Sequence, residues 1–230
     1  MRISEDQEIL ELASTARVGQ PVPNLLFGAV HYLLLIREKH PLNTYYPSMT
    51  VKPGKPEDAY EVFADFCRMY SKEIIQLLNS KIVQTNEVRR CAYLYPVFSY
   101  IYQKAGKPLA LLEIGTSAGL QLFFDKYSYS YCSDKVFGNV NSPVHLTSEI
   151  RGNLSPLKQM SIPEVAIRIG MDLHINDVRN YDDYMWLKAL IWPEHQERRE
   201  LFEKAAQLVG SKEARLIEGD GVQLLNSLAD

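Results

Sequence analysis

A short apolar run followed by a glycine-rich turn constrains the fold of this chain most strongly. Residues 109–112 are apolar and lie between Pro108 and Gly115, which is typical of a central strand in a parallel sheet. Gly115 lets the chain turn without a Cβ clash, and Ser117 is a candidate cap for a following helix. Gly119 permits close approach of a ligand or of backbone, and a helix N-terminus there offers N–H groups to an anionic or polar ligand. Every α/β protein needs such turns, so the turn by itself leaves a structural role open.

The spacing of the two glycines narrows the kind of ligand. Gly115 and Gly119 form Gly-x-x-x-Gly and not the dinucleotide pattern Gly-x-Gly-x-x-Gly, which disfavours a nicotinamide cofactor. Thr116 lies between them, and Glu113 precedes the first glycine by two residues. The turn therefore predicts a carboxylate next to any ligand that it holds.

The order of elements predicts an α/β fold in two parts. Residues 1–107 show helical periodicity and form a predicted helical N-terminal domain. After residue 107, predicted strands at 109–114, 164–169 and 214–217 alternate with helices, which predicts a Rossmann-like parallel sheet over 108–230. Alternating aromatic and polar residues at about 127–156 predict a β-rich insertion in this second domain.

Acidic residues follow the predicted strands, where ligands of parallel sheets bind. Asp172 comes after the second core strand and Asp220 after the third. Glu149 competes with Asp172 if residues 144–147 form the second core strand, and we prefer Asp172 because a helix follows it. Each aspartate is also an ordinary helix or turn cap, so a structural role stays open.

Two further groups are candidates for chemistry. Gln84, Asn86 and Glu87 begin the helix that leads into the sheet, where they either orient a polar substrate or simply cap the helix. His174, close to Asp172, is a candidate general base together with Glu87. The five histidines show no metal-ligand spacing, so no metal site is expected.

Composition excludes several classes of function. A formal charge of −3 gives no electrostatic case for nucleic-acid binding. The longest apolar stretch, residues 25–36, is too short to cross a bilayer. Cys67, Cys91 and Cys132 are scattered and odd in number, which indicates reduced thiols and predicts a cytoplasmic protein.

The chain resembles a bacterial family of uncharacterised proteins, the domain of unknown function 2332 family, and through it the class I S-adenosylmethionine-dependent methyltransferases. The similarity is carried in order by residues 84–87, 90–91, 112–120, 125–127, 168–173, 186–194, 198 and 219–220. It implies S-adenosylmethionine as cofactor, with Glu113 near its methionine moiety. By the same resemblance, the turn that holds the cofactor consists of Gly115, Thr116, Ser117 and Gly119. The acid that binds the ribose is Asp172, and the acid that binds the adenine amino group is Asp220.

The resemblance also sets an expectation about completeness. A methyltransferase core has seven strands, whereas this sequence predicts three and ends where the fourth is due. Members of the family look longer at both ends. We therefore expect a partial sheet, and an exposed edge that favours a homo-oligomer. Two functions stay open at this point: a methyltransferase of unknown acceptor, or a non-catalytic binding or assembly module of the same fold.

Overall fold

A computed structural model describes residues 2–37, 39–131, 135–152 and 160–228 of the chain, with backbone alone for Arg2 and residues 226–228. Cys132 and parts of the predicted insertion lie outside the described residues. The chain forms two compact units. The first comprises Met1–Thr85 and Tyr181–Arg199, and the second Asn86–Asn180 and Glu200–Asp230.

The first unit is helical. Its α-helices are α1 Gln7–Ser14, α2 Val22–Ile36, α3 Tyr60–Met69, α4 Ser71–Ser80, α6 Tyr181–Ala189 and the start of α7 Gln196–Gly210. Short 3-10 segments cover Arg2–Glu5, Pro41–Tyr45 and Pro56–Asp58. Asp6 caps α1, because its side chain accepts hydrogen bonds from the N–H groups of Glu8 and Ile9.

Helix α2 is the centre of the first unit's core. Nine of its residues are buried, so it is apolar around most of its circumference, as a central helix must be. It packs closely on α6 at Gly28, where an added Cβ would lie 2.9 Å from Leu190 Cδ2. The indole of Trp186 is buried in this core and donates a hydrogen bond to Ile82 O. A glycine at position 28 is therefore what lets the two helices approach.

The second unit holds two three-stranded sheets. Its elements are α5 Cys91–Ala105, β1 Leu109–Ile114, β2 Ser128–Tyr131, β3 Val136–Gly138, β4 His145–Ser148, β5 Val165–Asp172, the remainder of α7, β6 Arg215–Glu218 and α8 Gly221–Leu228. The first sheet has the order β1-β5-β6 with all pairs parallel. The second has the order β3-β2-β4, in which β2 is antiparallel to β3 and parallel to β4.

A buried ion pair ties the first sheet to the segment after the turn. Asp125 Oδ2 accepts a hydrogen bond from Arg168 Nη2 at 2.8 Å, and Oδ1 lies 2.7 Å from Nη1 without hydrogen-bond alignment. Both side chains are almost fully buried. Charges taken out of water in this way depend on each other, because either one alone is costly to bury.

The α/β class and the three strands of the parallel sheet agree with the prediction. The segment after Gly119 is helical, as predicted, but it is a 3-10 helix, Leu120–Lys126, with a non-helical residue at Phe123, and not an α-helix. The physical reason is that apolar residues of this segment face the interior on all sides, since Leu122, Phe123 and Phe124 are consecutive and buried. An α-helix would bury only one stripe.

The two units are discontinuous in sequence, so they differ from the predicted division at residue 107. Helix α5 packs against the 3-10 segment Leu120–Lys126 and β4 within the second unit, whereas α6 packs against α2 within the first. In the described part of the chain, no helix is both long and apolar enough to cross a membrane.

Candidate functional site

The carboxyl ends of β1, β5 and β6 meet at one edge of the parallel sheet. The register pairs Glu113 with Gly170 and Asp172 with Glu218, so three carboxylates fall on adjacent strands at this edge. Asp172 is the last residue of β5, the strand beside β1. Glu149 instead follows β4 of the other sheet. The position after the second core strand therefore belongs to Asp172.

The turn after β1 is held in an uncommon backbone conformation. Gly115 has φ +80° and Gly119 has φ +71°, and between them Ser117 has φ +50°, which is costly for a residue with a Cβ. A Cβ added at Gly115 would have no atom within 4 Å, so the space beside it is open. At Gly119 the added Cβ would meet Leu216 Cδ2 at 3.1 Å. Gly115 thus leaves room for a ligand, whereas Gly119 makes room for β6.

The N–H groups of this turn are all used inside the protein. Those of Gly115 and Thr116 donate to Met171 O, and that of Gly119 donates to Thr116 O. Ser117 N donates to Asp172 Oδ2 at 2.8 Å, and Ala118 N donates to Asn86 Oδ1 at 3.4 Å. The expectation that a helix N-terminus here offers N–H groups to an anion is therefore wrong, because the sheet and Asp172 already accept these bonds.

Two asparagines fix the strained serine from the side. Asn86 Nδ2 donates to Ser117 Oγ at 2.9 Å, and Asn176 Nδ2 lies 3.2 Å from the same oxygen. Asn176 also donates its backbone N–H to Ser117 O at 3.3 Å. Asn86 was predicted as a cleft residue, and the structure joins it to the turn. Asn176 was missed, since an asparagine in a loop carries no distinguishing sequence signal. Gln84 lies in the first unit.

Glu113 is held by its neighbours on the same turn. Its Oε2 accepts a hydrogen bond from Thr116 Oγ1 at 2.6 Å. Burial raises the pKa of the Glu113 carboxyl, with a smaller opposing effect from the Thr116 hydrogen bond. Thr116 in turn fits only because β5 has a glycine opposite, since a Cβ on Gly170 would lie 2.6 Å from its side chain. Gly170 is a second residue whose role sequence reasoning missed.

The remaining candidates occupy the rim of the edge. His174 Nδ1 lies 3.5 Å from Glu218 Oε2, and that oxygen also accepts a hydrogen bond from Ile175 N at 3.0 Å. Asp220 is exposed and caps α8, accepting from Val222 N at 2.9 Å. Asp172 Oδ1 accepts from His174 N at 3.3 Å. The structure therefore brings His174, Asp172 and Glu218 together, and gives Asp220 a capping role.

Glu87 has a capping role as well. Its Oε1 accepts a hydrogen bond from Arg89 N at 3.1 Å, at the start of the 3-10 segment Val88–Arg90 that leads into α5. Among the described residues, no group of three or more His, Cys, Asp or Glu side chains is arranged to hold a metal ion.

A cavity of about 610 Å³ in the second unit does not coincide with this edge. It is lined mainly by the first halves of β5 and β6 and by residues 176–179, 209–210 and 212–214. It shares Ala118 with the turn and includes Asn176, a hydrogen-bond partner of the turn.

The whole chain, residues 1–230, matches the family model described as an uncharacterized protein conserved in bacteria (DUF2332). The chain therefore belongs to this family, which confirms the predicted membership, whereas the resemblance to methyltransferases stays a prediction. No curated protein and no solved structure matches the chain. Because the family description carries no activity, function has to be inferred from the site.

Proposed function

We propose that this chain is a class I methyltransferase-like protein that binds S-adenosylmethionine at the carboxyl edge of β1, β5 and β6. One observation carries the proposal: the parallel order β1-β5-β6 gathers the open Gly115 turn, Glu113 and Asp172 at the edge where doubly wound sheets bind ligands. The order of these three strands is also that of one half of such a sheet.

The chemistry of the edge favours this ligand over a phosphorylated nucleotide. The side chains there are acceptors, the carboxylates of Glu113, Asp172 and Glu218, and the turn's N–H groups are already bonded. A phosphate would face the like charges of three carboxylates on adjacent strands. S-adenosylmethionine carries one carboxylate, but its sulfonium and ammonium make it net cationic at neutral pH, and its ribose hydroxyls and adenine amino group are hydrogen-bond donors. When bound, it supplies the methyl group.

Each residue has a role that follows from its position. Glu113, next to the open side of Gly115, would pair with the ammonium of the methionine moiety. Each Asp172 oxygen accepts one backbone N–H and keeps acceptor capacity for the ribose hydroxyls. Asp220 would take the adenine amino group with the acceptor capacity left after capping α8.

His174 is the better of the two candidate bases. Its Nδ1 lies 3.5 Å from Glu218 Oε2, a carboxylate that would orient the ring as it takes a proton from the methyl acceptor. The Glu87 carboxylate instead caps the 3-10 segment Val88–Arg90 through its Oε1. Positioning of acceptor and methyl group would supply most of the rate.

Isothermal titration with S-adenosylmethionine and S-adenosylhomocysteine tests the proposal. Saturable binding is expected, and Gly115→Val abolishes it by filling the open space. Gly106→Val is the matched control, since Gly106 has φ +61° and its added Cβ also meets no atom within 4 Å, but it lies at the end of α5. Binding lost equally in both variants, or absent from the folded wild-type chain, would refute the proposal.

Asp172→Asn refines the assignment of the ribose contact. The variant keeps the side-chain size but loses an acceptor oxygen, so binding weakens by about 1–3 kcal/mol. Circular dichroism shows whether the turn still folds. Unchanged affinity in a folded variant would remove Asp172 from the site.

A second candidate function is assembly through β1. In the described part of the chain β1 pairs with β5 alone, and its Leu112 and Ile114 side chains are about half exposed. Unpaired strand edges with apolar side chains are templates for another strand. A second copy of this chain, related by a two-fold axis perpendicular to β1, would supply it as an antiparallel strand.

Native mass spectrometry separates this function from cofactor binding. A dimer that Leu112→Lys dissociates, without bound S-adenosylmethionine, would favour assembly. Ile167→Lys is the control, because Ile167 has the same 47% exposure as Leu112 but lies on the central strand β5. A monomeric wild-type chain would exclude the assembly function.

A further inference from the structure

A second concave site lies in the helical first unit, independent of the sheet edge. It is a cavity of about 450 Å³, within the range that holds small ligands. It is bounded by α2, by the loop around residues 45–56 and by residues 189–194 after α6. All of its lining residues belong to the first unit.

The walls of this cavity are mainly aromatic and aliphatic. Four aromatic side chains line it, namely Phe27, Tyr45, Tyr46 and Trp192, and four prolines add to them. Phe27 packs against Trp192 with ring centroids 5.9 Å apart, which holds both rings in place. Side chains fixed in this way lose little freedom when a flat ligand enters between them.

Histidine 31 borders the cavity but brings no charge to it. His31 Nδ1 lies 2.8 Å from Ala189 O, so this nitrogen carries the proton and donates. Its Nε2 then accepts from Ser48 Oγ, also at 2.8 Å. Burial lowers the pKa of His31 to about 4, against an opposing effect from the Ala189 hydrogen bond. The imidazole is therefore a neutral, fully bonded part of the wall at neutral pH.

The other polar groups define what the ligand carries. Glu194 is the one charged side chain among the described lining residues, and it is exposed at the rim. The Tyr46 ring packs on His31, and among the described residues no group hydrogen-bonds the Tyr46 hydroxyl. An anionic ligand would meet the Glu194 carboxylate without any lining cation to offset it.

We propose that this cavity binds a neutral, mainly aromatic small molecule with one hydrogen-bonding group, which Tyr46 engages. The ring system lies among the aromatic and proline side chains, with Trp192 forming one wall. This inference stands on the first unit alone, so it does not depend on S-adenosylmethionine binding to the second.

Two fluorescent probes of matched shape test the charge preference. N-phenyl-1-naphthylamine is neutral and has one N–H, and 8-anilino-1-naphthalenesulfonate adds a sulfonate to the same rings. Titrated into the full chain, the neutral probe should saturate with a dissociation constant at least about tenfold below that of the sulfonate. Equal or tighter binding of the sulfonate would overturn the proposal, as would failure of the neutral probe to saturate.

Variants locate the probe. Trp192→Ala removes one wall and should weaken binding of the neutral probe about tenfold or more. Tyr181→Ala is the control, because Tyr181 is an exposed aromatic residue of the same unit outside the cavity. Tyr46→Phe keeps the ring, so it tests the hydroxyl without opening a hole, and a few-fold loss is expected. Unchanged affinity in both Trp192→Ala and Tyr46→Phe, with the folded state verified by circular dichroism, would place the probe elsewhere and refute the assignment.

Discussion

The buried histidine of α2 makes the stability of the first unit depend on pH. His31 is 1% exposed and is hydrogen-bonded through both ring nitrogens. In the protonated ring Nε2 also carries a hydrogen, so it no longer accepts the hydrogen bond from the Ser48 hydroxyl unless that hydroxyl turns away. Burial is the largest cause that lowers its pKa from 6.5 to about 4. Lys188 and Arg199 lower it further through their positive charges.

The size of the effect follows from proton linkage. Below pH 6.5 the unfolded chain binds a proton at His31 that the folded chain does not bind until about pH 4. Stability from this group is therefore complete above pH 6.5 and is lost as the pH falls toward 4. Between about pH 7.5 and about pH 5 the loss is about 2 kcal/mol, because each pKa unit is worth about 1.4 kcal/mol.

Urea unfolding followed by tryptophan fluorescence measures this loss. Both tryptophans of the chain, Trp186 and Trp192, lie in the first unit, so the signal reports on the unit that contains His31. We expect His31→Gln to be less stable at neutral pH but to lose about 2 kcal/mol less than the wild type on acidification. His195→Gln, which removes an exposed histidine of the same unit, should keep the wild-type pH dependence. Identical acid-induced losses in the wild type and His31→Gln would refute the linkage.

Two further predictions concern the second unit, and both are read from urea unfolding by circular dichroism. Asp125→Asn leaves its buried arginine partner without a counter-charge and should lower the free energy of unfolding by about 3–5 kcal/mol. Asp177→Asn, which changes a surface ion pair, is the control and should alter that free energy little. Equal effects of the two substitutions would contradict this account. Gly170→Ala forces a Cβ to within 2.6 Å of a buried threonine and should cost about 1–3 kcal/mol. Gly210→Ala, whose nearest atom would lie at 3.6 Å, should be neutral or slightly stabilising, and a similar loss in both glycine variants would show that the close contact is not the cause.

Much of the sheet was predictable because its signals are local. An apolar run that ends at a glycine identified β1, and alternating apolar residues identified β5 with its end close to Asp172. The sequence could not decide between Asp172 and Glu149, since both follow short strands. Only the pairing of β5 with β1, and of β4 with β2, assigns them to different sheets.

The interior of the turn shows where sequence reasoning stops. Ser117 is a standard helix cap by residue type, yet it adopts φ +50° and is held by Asp172, Asn86 and Asn176. These partners come from three separate segments, so their bonds depend on chain packing and not on local preference. Gly170 likewise has the sequence signature of a strand end. Its role, which is to leave space for the Thr116 side chain, becomes evident only when the strands are paired.

By itself the sequence determined the α/β class, the three parallel strands and the family, because periodicity, glycine turns and motif order are properties of neighbouring residues. The tertiary structure decided the discontinuous units, the bonded N–H groups of the turn and the aromatic cavity beside His31. Each of these needs groups far apart in the chain to meet. The chemistry of those groups depends on how far they are buried and on which backbone hydrogen bonds are already made. Both are determined only when the chain has folded and brought the groups into contact.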